Sequence, residues 1–177
     1  MIDSIALKLA EAIKRTEPSK TASIEVMKFS LIVVIHTAIT FLIIVFVGAL
    51  THSLASTAVG LLAFIILRFV SGGLHLKKAI HCSIVSVIII TIAPHVSLTK
   101  ELIIVITLVS LIIVFIFAPA NIENHARIPT NFFPLLKAIS VMIVFSNFFI
   151  LSSTIALVYF MQAITLTPYR RRWENET

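Results

Sequence analysis

From residue 29 to residue 50 the chain runs without a single charged side chain. A helix needs about 20 mainly apolar residues to cross a hydrocarbon core about 30 Å thick. Within lipid its backbone N–H and C=O groups must be satisfied by the segment itself. The run therefore reads as a transmembrane helix, and it is not alone. Apolar stretches recur at about 54–70, 79–98, 102–118 and 138–167. The chain is 59% hydrophobic and 12% charged, against about 45–50% and about 25% in soluble domains. The reading is an all-α, polytopic integral membrane protein forming a single domain over 1–177. In it 1–28 is a cytoplasmic amphipathic segment, 29–167 the transmembrane region and 168–177 a cytoplasmic tail.

Charge placement sets the orientation and the number of spans. Lys8, Lys14, Arg15, Lys20 and Lys28 put the N-terminus in the cytoplasm by the positive-inside rule. Alternation then puts Lys77 and Lys78 inside, Lys100 outside, and Arg127 and Lys137 inside. The run 138–167 would make one helix about 45 Å long, and a single crossing would leave Arg170, Arg171 and Arg172 outside. A tight pair turning within 147–153 returns them to the cytoplasm, giving about six hydrophobic segments and two cytoplasmic termini. Ahead of them, Ile2, Ile5, Ala6, Leu9 and Ile13 fall at helical spacing opposite Asp3, Lys8, Glu11, Lys14 and Arg15. That pattern predicts an amphipathic helix, either lying in the membrane interface or packed on the bundle.

The formal net charge of +6 does not indicate nucleic acid, because the cations sit between apolar runs, where they contact membrane lipids. The acids, Asp3, Glu11, Glu17, Glu25, Glu101, Glu123, Glu174 and Glu176, all lie near ends or in connections. That excludes paired-carboxylate chemistry within the spans and weakens a transporter reading, since carriers of protons and cations bury such groups. The six histidines form no HExxH pattern and no CxxC accompanies them, so neither a metal nor another cofactor is predicted.

What remains is "RFVSGGLHLKKAIHC", residues 68–82. Ser71, Gly72 and Gly73 should end the second span, and Lys77 and Lys78 hold the turn at the cytoplasmic surface. The next helix then starts before Ala79 or at it, and Cys82 falls in its first turns. Unpaired N–H groups and the helix dipole favour a thiolate there. In one unbroken helix His75 and Cys82 would stand about 10.5 Å apart along the axis. If the glycines free the backbone, His75 can fold back over the thiol as its general base. His81 is the rival base, pointing about 100° away from Cys82 on the same helix. Arg68 either binds a substrate carboxylate or carbonyl, or snorkels to the headgroups.

An arginine, a short gap, Gly-Gly, one residue, a histidine, six residues and a cysteine: this pattern resembles the accessory gene regulator protein B family, membrane cysteine peptidases of bacterial peptide quorum sensing. "FAPANIENHARIP" and "QAITLTP" are similar to later parts of the same family, so the resemblance covers essentially the whole chain. It implies Cys82 as nucleophile and His75 as base, with Arg68 and Gly73 shaping the site. It implies a small amphipathic propeptide as substrate, an acyl-thioester intermediate, and release as a cyclic thiolactone or lactone. It also implies a location in the bacterial cell membrane and is compatible with a homodimer. The loop "NIENHARIPTNFFPLLK" departs by being less basic than lysine-rich versions. A small membrane transporter or exporter is the alternative.

Overall fold

The computed structural model describes residues 2–73, 79–120 and 129–167, with the backbone alone for 79–82 and Thr130. The described chain is helical: α1 (Ile2–Thr16), α2 (Ile24–Leu50), α3 (Leu54–Ser71), α4 (Ala79–Ile92), α5 (Lys100–Phe117), α6 (Phe133–Phe145), α7 (Asn147–Ile150) and α8 (Ser153–Ile164). Four helical segments are long and apolar enough to cross a membrane: Ile24–Leu50, Leu54–Ser71, Lys100–Phe117 and Phe133–Ile150. Ser83–His95 and Ser153–Ile164 are apolar but shorter.

Capping explains where the helices depart from the uncharged runs. Ser23 Oγ accepts the Val26 amide, so α2 starts at Ile24 rather than at Phe29. Thr99 Oγ1 accepts the Leu102 amide and brings Lys100 and Glu101 into α5. Each such cap satisfies one of the amides left over at a helix start. Pro94 falls within a 3-10 turn, Ala93–His95, that ends α4 earlier than the apolar pattern does. Pro134, by contrast, sits in the first turn of α6, where its missing N–H costs nothing.

The run 138–167 does break within 147–153. Leu151, at φ 52°, closes α7, and Ser152 caps α8. Asn147 is fully buried at this turn. Its Nδ2 donates to Thr107 Oγ1 at 3.0 Å and to the Ser152 carbonyl, while its Oδ1 accepts the Ser152 amide at 3.2 Å. The following helix runs back through the protein. It begins with Thr154 beside Gly60 of α3 and ends with Gln162 beside Ser71.

α8 is the enclosed helix. Ile155, Ala156, Val158, Tyr159, Gln162 and Ala163 are all buried. Its apolar side chains pack with Ala63 and Leu67 of α3, Val114 of α5 and Val144 of α6. A second cluster joins Ile44 of α2, Leu61 of α3 and Ile90 of α4. Large apolar side chains elsewhere point outward, Phe69 at 81% exposure and Met142 at 71%, as surfaces that face lipid do.

α1 packs along α2 through the buried Ala6 and Ala10, leaving Ile5, Leu9 and Ile13 exposed. Lys14 Nζ closes the hairpin by donating to the carbonyls of Pro18 and Thr21 at 2.8 and 2.9 Å. This segment is thus helical and in contact with α2, with apolar side chains left uncovered on its other side.

Candidate active site

α3 ends in a polar knot. Gly72 and Gly73 take φ values of 70° and 130°, a region that side-chain-bearing residues avoid and glycine enters freely. The Gly72 amide still bonds to the Arg68 carbonyl at 3.0 Å, so the helix is complete up to the turn. The chain then runs beside the segment that follows α5. The Ser71 carbonyl accepts the Ala120 amide, and the Gly73 amide donates to the Ala120 carbonyl, both at 2.9 Å. This is a single parallel bridge between Gly72 and Ala120. The neighbouring Ala118–Pro119 peptide is cis.

The end of α8 covers the turn from the other side. Gln162 has no exposed surface, and neither has Ser71. Gln162 Nε2 donates to Ser71 Oγ at 3.2 Å and to the Gly72 carbonyl at 2.8 Å. Its Oε1 accepts from Arg68 Nη1 at 3.2 Å, and Arg68 Nη1 also reaches Thr165 Oγ1 at 3.3 Å. Among the described residues no buried side-chain nitrogen or oxygen lacks a partner. In an apolar bundle that matters, because an unpaired buried polar group costs about 1–3 kcal/mol.

The predicted site residues divide sharply. Arg68, Gly72 and Gly73 come together at this knot, and the Arg68 contacts seen are with α8. Cys82 lies in α4, fourth from its first described residue. His75, Lys77 and Lys78 lie outside the described residues, as do the loop 121–128 and the basic tail from 168. Asn147 belongs to the turn at the other end of α8, tied to Thr107 and Ser152. Sequence reasoning read Ser71 only as part of the helix end and did not single out Gln162 or Thr165. The available signal was a glutamine inside a long uncharged run, since polar side chains in such runs generally face the protein interior.

Beside the knot, α2, α3 and α4 line an open-sided cavity of about 500 Å³. Phe41, Ile65 and Phe69 supply apolar lining, Arg68 borders the same space, and α4 contributes Ser83 and Ser86. These two follow Cys82 by one and four residues, so the cavity adjoins the helical turn that carries the thiol.

The profile of the accessory gene regulator B family matches residues 3–169. An AgrB-like protein of Halalkalibacterium halodurans is 33% identical over 91 residues. That alignment takes in 51% of this chain and just under half, 46%, of the relative's own length. No solved structure matches significantly. The family match takes in the arginine–diglycine turn, the α4 cysteine and the end of α8 alike, and the chain belongs to the accessory gene regulator B family.

Proposed function

We propose that this protein is a membrane-embedded cysteine endopeptidase that matures a small amphipathic propeptide of the quorum-sensing kind. The observation that carries the reading is the diglycine turn. It ends α3 at Ser71, shortly before α4 and Cys82 in a family-matched sequence that sets His75 between the two helices.

In the reaction, His75 takes the proton of Cys82 and the thiolate attacks the scissile carbonyl. The imidazolium then protonates the departing amine as the C–N bond breaks, which releases the C-terminal part of the peptide. The remaining acyl group is a thioester on Cys82. A thiol or hydroxyl within the bound peptide attacks that thioester. Cys82 leaves as thiolate, its proton is restored through His75, and the product is a thiolactone or lactone. Water must be kept from the thioester for the ring to form. The largely apolar cavity beside α4 supports such shielding and takes the apolar residues flanking the scissile bond. Arg68, Gly72 and Gly73 shape the turn, and Lys77 and Lys78 meet anionic headgroups on the cytoplasmic face. The protein resides in the bacterial cell membrane with about six spans and both termini cytoplasmic, and a homodimer is compatible with this arrangement.

The test is co-expression with an amphipathic propeptide carrying an internal Cys or Ser, followed by mass spectrometry of the products. Cleavage should disappear with Cys82→Ala while the variant still inserts. Normal cleavage by that variant would overturn the proposal.

A further inference from the structure

We infer that Gln162 is a positioning residue for the chemistry at Cys82. Its carboxamide, carried by α8, holds the peptide unit between Gly72 and Gly73, the last described unit before α4, in one orientation. The inference rests on the cysteine-peptidase reading and deepens it.

The argument turns on both edges of that one peptide plane. Its carbonyl, on Gly72, accepts Gln162 Nε2 at 2.8 Å, and its amide, on Gly73, donates to the Ala120 carbonyl at 2.9 Å. A diglycine unit is the least constrained link a chain can contain. Free of these two bonds, that unit could turn through many orientations. Gln162 is suited to the task because a carboxamide has two N–H donors and an acceptor in one rigid plane. One donor goes to Ser71 Oγ, the other to the Gly72 carbonyl, and the oxygen accepts from Arg68 Nη1. Thr165, one turn further on, adds its hydroxyl to the same oxygen at 3.3 Å.

Burial strengthens the constraint. Gln162 is wholly enclosed, so no solvent competes for these bonds, and rotating the amide away would strand several groups at once. Gly73 is equally tight, since a β-carbon there would come within 3.3 Å of Gln162 Nε2.

The test is alkylation of Cys82 by iodoacetamide in detergent-solubilised full-length protein, measured against pH. The set is wild type, His75→Ala, Gln162→Ala, Gln162→Glu and the double variant His75→Ala/Gln162→Ala. Gln162→Glu keeps the size and the acceptor for Arg68 but removes the donor to Gly72, which separates aiming from packing. With the dyad intact, His75→Ala should slow labelling at pH 7 on the order of tenfold, as the thiol returns toward its free pKa of about 8.5. Both Gln162 variants should slow labelling and move its pH midpoint the same way, and the double variant should behave like His75→Ala alone. If His75→Ala slows labelling but the Gln162 variants match wild type, the positioning role is refuted and the peptidase reading stands. A double variant slower than His75→Ala alone also refutes it, because Gln162 would then act independently of the base. If His75→Ala labels as fast as wild type, the dyad itself is refuted and the positioning role falls with it.

Discussion

The hydroxyl oxygen of Thr165 lies 2.7 Å from where a β-carbon on Gly73 would stand. The end of α8 is thus pressed against the turn that leaves α3, with no room for a methyl group. Gly73→Ala must both displace Thr165 and hold φ near 130°, a conformation that costs of order 1–3 kcal/mol without glycine. The variant should melt earlier in detergent and lose propeptide processing. Adding Thr165→Ala should recover only part of the melting loss, since the backbone strain stays.

Removal of the proposed nucleophile or the proposed base separates chemistry from folding. Cys82→Ala should abolish processing, and His75→Ala should lower it by about 10²–10⁴-fold, the usual weight of a general base. Both proteins should insert and melt like the wild type. Quantitative mass spectrometry of the co-expressed peptide measures the rates, and retention of activity by either variant contradicts the assigned roles.

The far turn offers the opposite signature. Asn147→Ala removes a fully buried amide that bonds Thr107 and both backbone groups of Ser152. Stranding those partners should cost about 1–3 kcal/mol. Thermal unfolding should shift down while iodoacetamide still labels Cys82 at the wild-type rate in the folded protein. A change in labelling rate would mean that the two ends of the bundle are coupled.

Gly60 sets the separation of α3 and α8. A β-carbon there would stand 3.1 Å from Thr154 Cγ2 and 3.6 Å from Val158 Cγ2. Gly60→Val should therefore overpack the contact at a cost of about 1–3 kcal/mol. Because the same two helices carry Arg68 and Gln162, processing should fall as well. An unchanged melting temperature would show that the helices separate at no cost.

The cavity can be filled from α2, off the helix that carries Cys82. Thr40→Trp places an indole in the space lined by Phe41, Ile65 and Phe69. It should raise KM for the propeptide several-fold or more while leaving labelling of Cys82 by the small reagent iodoacetamide intact. An unaltered KM would remove the cavity from the substrate path.

Much of the fold was legible because lipid is an unforgiving solvent. Uncharged runs announce the helices, and the cluster Arg170–Arg172 argued for a reversal within 147–153, where Leu151 and Ser152 indeed turn the chain. Helix starts were less legible, since a cap such as Ser23 or Thr99 extends a helix into residues that hydropathy assigns to loops. The knot was only half legible. Arg68, Gly72 and Gly73 announce themselves as breaks in an apolar pattern. The partner of Arg68 stands 94 residues away in Gln162, and no local period links the two. Asn147 was equally visible as a polar residue, yet only the packing of α5 against the turn shows that it belongs to architecture.

The bridge between Gly72 and Ala120 ties two connections that are far apart in the chain to a common mooring. Beyond Gly73 the chain leads to the sulfur-bearing helix, and beyond Ala120 to the second polar loop. The two backbone bonds moor the end of α3 to the end of α5, so neither helix can slide along the other without breaking them.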